Sequence, residues 1–312
     1  MIVTSVAPCR ISLFGGGTDT DPYALVRGGI CINLAISLYQ KMEVKDGLGG
    51  LSYYPLQADR NFILTILKSF GISETQLRVN SEFDGYMGAG IGSSAAAAVA
   101  TIGAINEIQK LGLSRDQIAQ RAWEIEVETM GWYGGKQDQF ASVHGGFNIF
   151  TFEKGKVCRE QVLPTLGENI AGYLVLFYTG GRRESREIQQ GFMNLTKDKK
   201  ESLDAIKALA LQAIKKIKEV DMAGFLDLFG DSWELKKKSN AGITSPRIDF
   251  LYTEAQKVGI YGGKVLGAGG CGYMVFACPK DNQQKLIERM KILGCEYIQW
   301  SIDKEGLRTQ II

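Results

Sequence analysis

Residues 85–100 read GYMGAGIGSSAAAAVA, a glycine-rich turn that runs directly into two serines and an alanine-rich stretch. Glycine adopts backbone conformations that other residues avoid, so this turn can curl until several N–H groups point into one cavity. The helix predicted behind the turn adds the positive end of its dipole to that cavity. Such a cradle is typical of phosphate binding. The positions predicted to form it are Gly88, Gly90, Gly92, Ser93, Ser94 and Ala95.

The same turn has three other interpretations, namely a Walker A loop, a dinucleotide-binding turn and an ordinary capped helix. A Walker A loop is excluded, because none of the three Gly-Lys pairs in the chain is followed by Ser or Thr. A dinucleotide-binding turn requires a different glycine spacing and a clear preceding strand. An ordinary capped helix, whose small residues permit close packing, stays open at this point.

Two further glycine-rich segments accompany the turn. Residues 7–23 read APCRISLFGGGTDTDPY, and residues 262–276 read GGKVLGAGGCGYMVF. Three such clusters in one chain indicate a single composite site.

Composition narrows the class of protein. The chain has 312 residues, with 36 basic and 34 acidic side chains, a balance unlike that of nucleic-acid-binding or anionic-membrane-binding surfaces. Its six cysteines lack metal-site spacing, it opens without a signal peptide, and the single His144 cannot build a histidine-rich metal site. We therefore expect a cytoplasmic protein with no nucleic-acid or membrane partner, either monomeric or a homodimer.

Hydrophobic patterns predict two units that meet near residue 165. The first contains strands at 3–14 and 30–45 with helices at 94–111 and from Ser114 to before Gly131. The second is richer in helix. Its predicted elements are strands at 173–178, 273–278 and 296–302, and helices at 183–219, 222–239, 246–258 and 281–293.

Two carboxylates stand out. Helical spacing places Glu126 on the same face as apolar residues such as Ala122, Trp123 and Met130. A carboxylate there must find a partner or raise its pKa, so a bound cation and a structural arginine partner both stay open. Asp138 follows Gly134-Gly135 and precedes Phe140-Ala141, which predicts a positioned carboxylate at the start of a packed element, although a surface loop stays possible.

The three glycine-rich segments, in this order, resemble the GHMP kinase superfamily, which includes galactokinase, homoserine kinase and mevalonate kinase. Arg10-Ile11-Ser12 with residues 15–19, GGKQDQFASVHGGFN at 134–148 and GGKVLGAGGCGY at 262–273 more narrowly resemble bacterial sugar 1-kinases that act on D-glycero-D-manno-heptose 7-phosphate. The resemblance covers essentially the whole chain. It implies a two-domain α+β fold, with a ribosomal-protein-S5-domain-2-like domain over 1–165, a ferredoxin-like domain over 166–312, and the site in the cleft between them.

The resemblance also implies the reaction. ATP would bind at the glycine-rich turn, and Mg²⁺ would be held by Ser94 and Glu126, with Ser93 as the alternative serine. Asp138 would act as general base or orient the acceptor hydroxyl, and Arg10 would lower the pKa of that hydroxyl or neutralise charge on the γ-phosphate.

The acceptor side follows from the same resemblance. Thr18-Asp19 match the Thr-Asp pair that contacts sugar in galactokinases, and a carboxylate suits bidentate hydrogen bonding to neighbouring hydroxyls. Residues 179–186 read TGGRRESR, in which Arg183 matches the arginine of a Thr-Gly-x-x-Arg run that would hold the 7-phosphate. Gly181, Arg182 and Glu184 depart from that run. The full predicted acceptor-binding set is Gly17, Thr18, Asp19, Lys136, Arg182, Arg183, Gly269 and Gly270.

Two other functions stay open. A different sugar 1-kinase, for fucose, galactose or mannose, would share the mechanism. A ligand-binding sensor that keeps the fold without turnover is the second, although the presence of Ser94, Glu126 and Asp138 argues against it.

Overall fold

The computed structural model of the protein describes residues 1–46, 50–51, 57–73, 75–181, 196–239 and 242–312. Within these residues the strands form two sheets. The strands are β1 (Ile2–Phe14), β2 (Gly29–Asp46), β3 (Gly50–Leu51), β4 (Leu77–Phe83), β5 (Phe147–Glu153), β6 (Lys156–Gln161), β7 (Leu174–Tyr178), β8 (Gly262–Val265), β9 (Tyr273–Ala277), β10 (Glu296–Ile298) and β11 (Arg308–Ile311). The helices are α1 (Tyr23–Arg27), α2 (Gln57–Ser69), α3 (Ser93–Gln109), α4 (Arg115–Glu124), α5 (Gln137–His144), α6 (Pro164–Ala171), α7 (Lys197–Lys218), α8 (Met222–Ser239), α9 (Pro246–Val258) and α10 (Lys280–Ile292).

The first sheet has the order β11-β1-β2-β4-β3, and β5 pairs with both β2 and β6. Its long strands β1 and β2 are antiparallel, with a register irregularity between Ser12 and Phe14 just before the first glycine cluster. Helix α3 packs on these strands, and Ala95 to Ala100 are all buried. Alanine side chains allow this close approach, because a larger residue would hold the helix further from the sheet. The base of the glycine-rich turn is thereby held against the sheet.

The second sheet has the order β10-β7-β9-β8, and all of its pairs are antiparallel. In chain order this is the 4-1-3-2 arrangement of a ferredoxin-like unit, with helices between the strands. The predicted two-domain α+β fold is confirmed. The last strand, β11, returns to pair with β1, so the end of the chain joins the first sheet. The boundary near residue 165 stays a prediction.

The predicted helix from Ser114 begins as expected and ends differently. Ser114 and Gln117 form a capping box at its start. After Glu124 the chain continues as a π-helix over Ile125–Thr129 rather than as α-helix. Such wider turns are rare and often occur at functional sites. Of the predicted helix at 183–219, residues 183–195 lie outside the described residues.

Within the described ranges, no helix combines the length and the apolar character needed to cross a bilayer.

Candidate active site

A cavity of about 330 Å³ lies where the three glycine-rich segments meet. This size lies within the range of small-molecule sites. It is lined by the glycine-rich turn and the start of α3, together with the first glycine cluster, α8 and β8. Its polar and charged lining includes Arg10, Ser12, Asp19, Ser93, Ser94, Glu126, Gln137, Asp138, Gln139, Ser232, Lys236, Ser239 and Lys264.

The glycine-rich turn is built from left-handed glycines. Gly88, Gly90 and Gly92 have φ values of 68°, 99° and 74°, which side chains rarely adopt. Gly92 is the N-cap of α3, and the Ser93 hydroxyl accepts a hydrogen bond from Gly88 N at 3.2 Å. Because a glycine cap has no side chain, it leaves the first N–H groups of α3 open to a ligand. The turn therefore has the geometry of an anion cradle rather than that of a serine-capped helix.

The third glycine cluster, in residues 262–276, packs against the glycine-rich turn. A Cβ at Gly90 would lie 2.5 Å from Leu266 O, and one at Gly267 would lie 2.5 Å from Gly90 Cα. Gly267 and its neighbour Ala268 line the cavity. By contrast, a Cβ at Gly269 would lie 2.6 Å from Ile243 O, and Gly270 N donates to that same oxygen at 2.7 Å. The predicted acceptor-binding residues Gly269 and Gly270 thus pack against Ile243 rather than lining the cavity.

The two predicted catalytic residues form one ion pair. Arg10 Nε donates to Asp138 Oδ1 at 2.7 Å, and its Nη2 donates to Oδ2 at 2.6 Å. Arg10 Nη1 donates to Gly90 O at 2.8 Å, so the same guanidinium also holds the glycine-rich turn. Arg10 is 4% exposed, whereas the Asp138 side chain is 25% exposed. The carboxylate is therefore fixed in orientation while it still faces the cavity.

Glu126 lies in the π-helix, is buried as predicted, and lines the cavity. Burial raises its pKa to about 7, and the negative charge of Asp138 adds to this effect. Hydrogen bonds from Ser94 and Gln139 act in the opposite direction. Both of these donors are neutral, so Glu126 has no cationic partner among the contacts described.

Asp19 is held in the first glycine cluster and lines the cavity. Its Oδ1 accepts from Gly17 N at 3.0 Å, and its Oδ2 accepts from Gln137 N at 3.1 Å. Burial, together with the charge of Asp138, raises its pKa. A Cβ at Gly135 would lie 1.8 Å from Asp19 Oδ2, which explains the glycine at that position. Gly17 lines the cavity beside Asp19.

Two other predicted acceptor-binding residues lie behind the cavity wall. The Thr18 hydroxyl is fully buried, lies within donating distance of Gly15 O at 2.8 Å and of Ile30 O on β2 at 3.0 Å, and accepts from Ile30 N at 3.0 Å. Lys136 Nζ lies 4.1 Å from the centre of the Trp123 ring and 3.8 Å from Asp21 Oδ2. Both side chains stabilise the wall. The predicted phosphate ligands Arg182 and Arg183 lie outside the described residues.

Two lysines that the sequence interpretation left out line the cavity. Lys264 Nζ donates to Leu13 O at 2.6 Å, and Lys236 Nζ donates to Val265 O at 2.5 Å and Gly267 O at 2.8 Å. Burial lowers the pKa of Lys264 to about 7 and lowers that of Lys236 as well. Lys264 lies among glycines and apolar residues, a signal of burial that could have been used. Lys236 begins a Lys-Lys-Lys run that is typical of a solvated helix end.

The low pKa of Lys264 has a consequence for stability in the ligand-free protein. Between pH 7 and 10.5 the unfolded chain binds a proton at Lys264 that the folded protein does not bind. The free energy of unfolding therefore rises with pH in this window, by about 1.4 kcal/mol per pH unit for one such proton. We expect Lys264→Met to reduce this slope in urea unfolding measured from pH 7.5 to 9.5, and Lys237→Met to retain it. Equal slopes for the wild type and Lys264→Met would contradict the assignment.

The fold and this site define a small-molecule kinase, and the comparisons with known proteins agree. Residues 60–146 match the GHMP kinases N terminal domain and residues 205–294 match the GHMP kinases C terminal domain. The chain belongs to the GHMP kinase family and is a phosphotransferase with an alcohol group as acceptor. ATP is the phosphoryl donor in this family.

Individual relatives cover most or all of the chain. The D-glycero-alpha-D-manno-heptose 7-phosphate kinase of Campylobacter jejuni is 28% identical over 98% of each chain. The mevalonate kinase of Pyrococcus furiosus is 30% identical over 72% of this chain and 66% of its own length. The crystal structure of a D-glycero-D-manno-heptose 1-phosphate kinase from Bacteroides thetaiotaomicron has a TM-score of 0.80 over 99% of each chain. At 23% identity, that similarity concerns the fold.

Proposed function

We propose that this protein is a sugar kinase that transfers the γ-phosphate of ATP to the anomeric 1-hydroxyl of D-glycero-D-manno-heptose 7-phosphate, giving the 1,7-bisphosphate. The observation that carries the proposal is the Arg10–Asp138 pair, which lies between an anion cradle and the buried carboxylate of Asp19. The near full-length similarity to the heptose 7-phosphate kinase of Campylobacter jejuni supports the choice of acceptor.

In this mechanism the N-terminus of α3 and the glycine-rich turn hold the phosphates of ATP. Asp19 accepts hydrogen bonds from sugar hydroxyls and thereby orients the ring toward Asp138. Asp138 aligns the anomeric hydroxyl and takes its proton as the bond from its oxygen to the γ-phosphorus forms, while the bond from that phosphorus to the bridging oxygen of ADP breaks and ADP leaves. Arg10 holds the carboxylate in place and provides positive charge next to the transferring phosphoryl group.

The residues at the cradle also fit Mg²⁺, which neutralises phosphate charge when bound. Glu126 is a buried carboxylate that receives hydrogen bonds only from neutral groups in the contacts described, and Ser94 is one of those groups. The described ranges contain no cluster of three or more histidine, cysteine or acidic ligands. This suits Mg²⁺, which is usually held by one or two protein oxygens together with substrate phosphates. Ser94 and Glu126 would hold it.

Replacing Glu126 tests this role. We expect Glu126→Gln to raise the Mg²⁺ concentration for half-maximal activity on the order of 10–100-fold, because a carboxylate ligand is lost. The dissociation constant of ATP without Mg²⁺, measured by calorimetry, should stay within about twofold, since the phosphates bind backbone N–H groups. The matched control is Glu128→Gln on the exposed side of the same π-helix. Equal losses of Mg²⁺ and ATP affinity would make Glu126 a structural residue.

A panel of acceptors tests the proposed reaction. ATP consumption is measured with the heptose 7-phosphate, mannose, fucose, galactose and mevalonate at equal concentrations. Turnover on the heptose phosphate alone is the expected result. Turnover on an unphosphorylated sugar would be consistent with the proposed mechanism but would rule out the heptose 7-phosphate as the specific substrate. No turnover on any acceptor would favour a non-catalytic sensor.

A further inference from the structure

Two of the side chains that line the cavity, Lys236 and Lys264, lack anionic partners in the described residues. Lys264 is 4% exposed, and its ammonium group donates to a main-chain oxygen of β1. Lys236 is partly buried and donates to two main-chain oxygens at the third glycine cluster. Neither lysine forms an ion pair with a carboxylate in the described residues. The charges that act on them come from Arg10, from each other and from a buried thiol.

Three other charged side chains of the cavity already have partners. Arg10 and Asp138 neutralise each other through a bidentate pair. Asp19 is bound by N–H donors of Gly17 and Gln137. Two lysines in one partly closed cavity hold their protons weakly without a counter-charge, because a buried ammonium group is costly and the two groups repel each other when both are charged. The cavity is therefore suited to bind an anion, which would supply the missing counter-charge.

Lys264 lies on the acceptor side of the cavity, which holds Asp19, because Leu13, whose oxygen accepts from Lys264, stands two residues before Gly15, the first glycine of that cluster. Lys236 lies between this side and the glycine-rich turn, because Gly267, whose oxygen it binds, packs against Gly90. Ser12 Oγ and Gln137 Oε1 line the same cavity, are buried, and have no hydrogen-bond partner within the described residues. Unpaired buried oxygens of this kind indicate a polar ligand.

Helix α8 presents a polar stripe to the cavity. Ser232, Lys236 and Ser239 are spaced at i, i+4 and i+7, and all three line the cavity. A phosphate monoester has three oxygens that can accept from ammonium and hydroxyl groups at once. We propose that Lys236 and Lys264 form a phosphate subsite on the acceptor side of the cavity and that the phosphate of the acceptor sugar binds there. This inference rests on the proposed function for the identity of the sugar.

Calorimetry with matched lysine variants tests the subsite. The variants are Lys236→Met, Lys264→Met and, as the control, Lys237→Met, whose lysine is a neighbour on α8 that pairs with Glu234 at 2.7 Å. Arg183→Ala tests the competing arginine site. The ligands are the heptose 7-phosphate, the same heptose without phosphate, and ATP. We expect the first two variants to weaken binding of the heptose 7-phosphate at least tenfold, and binding of the other two ligands less than threefold.

Two outcomes would overturn the subsite. If ATP affinity falls and affinity for the heptose phosphate does not, the lysines hold nucleotide phosphates. If Arg183→Ala alone removes the preference for the phosphorylated sugar, the phosphate binds at the arginines. Methionine variants are expected to fold, because replacing a buried ammonium group by an apolar side chain of similar length removes a desolvation cost.

A second measurement separates failure of the subsite from failure of the proposed function. If the wild type does not bind the heptose phosphate, inorganic phosphate is used as the probe. The subsite predicts that inorganic phosphate raises the melting temperature of the wild type and of Lys237→Met but not that of Lys264→Met. Equal stabilisation of all three proteins, or of none, would overturn it.

Discussion

Asp138→Asn is expected to lower kcat by about 10²–10⁴-fold while the dissociation constant of ATP stays unchanged. The amide keeps the shape of the side chain and one hydrogen bond from Arg10, but it neither accepts a proton nor carries charge. Steady-state kinetics give kcat, and calorimetry gives ATP affinity. The expected pattern follows from the geometry, in which the carboxylate faces the cavity and its hydrogen-bonded link to the glycine-rich turn runs through Arg10.

The same substitution affects stability, and this effect must be separated from catalysis. Arg10 is buried, and the loss of its counter-charge is expected to cost about 1–3 kcal/mol. Asp116→Asn provides a control, because Asp116 is a mostly exposed carboxylate that pairs with His144 away from the cavity. A variant that is folded at the assay temperature and retains more than a tenth of wild-type kcat would contradict a catalytic role for Asp138.

Gly90→Ala is expected to abolish activity and to destabilise the protein by more than about 2 kcal/mol. Two effects combine at this position. Its φ of 99° is strained for any L side chain, and the added Cβ would lie 2.5 Å from Leu266 O. The third glycine cluster would have to move away from the turn, which would also displace the carbonyl that Arg10 binds. Chemical denaturation and turnover measured on the same sample test both parts.

Gly112→Ala isolates the contribution of backbone strain. Gly112 has a φ of 67°, but nothing lies within 4 Å of its Cβ position. Gly112→Ala should lower the free energy of unfolding by only about 1–2 kcal/mol, and activity should be unchanged. If Gly90→Ala destabilised the protein no more than Gly112→Ala does, close packing of the two glycine clusters would not be what fixes the turn.

Much of the fold follows from local sequence signals. The ends of β1, β2 and α3 lie within two residues of their predicted positions. The prediction used the apolar residues of the two strands and the alanines of the helix. Glu126 was placed correctly on a buried face because helical spacing is regular up to Glu124. The π-helix that follows could not be predicted, since it depends on tertiary contacts rather than on the propensity of Ile125–Thr129.

The walls of the site were harder to predict than its centre. Lys136 lies two residues before Asp138 in sequence but packs on Trp123, because the chain turns into α5 between them and the two side chains point in different directions. Thr18 likewise uses its hydroxyl to hold the first glycine cluster together. Lys236 reaches the cavity only because α8 packs beside β8, a contact between distant parts of the chain that no local pattern records.

The central claim is that a phosphoryl group is placed on the anomeric oxygen of a heptose that already carries a 7-phosphate. Phosphorus NMR of the product formed from ATP and the heptose 7-phosphate tests it most directly. The account predicts a second phosphorus signal that couples to the anomeric proton, while the 7-phosphate signal is retained. With Asp138→Asn over the same reaction time, it predicts the 7-phosphate as the only phosphorus signal of the sugar. A product phosphorylated at any other position, or no new sugar phosphate while ATP is consumed, would contradict it.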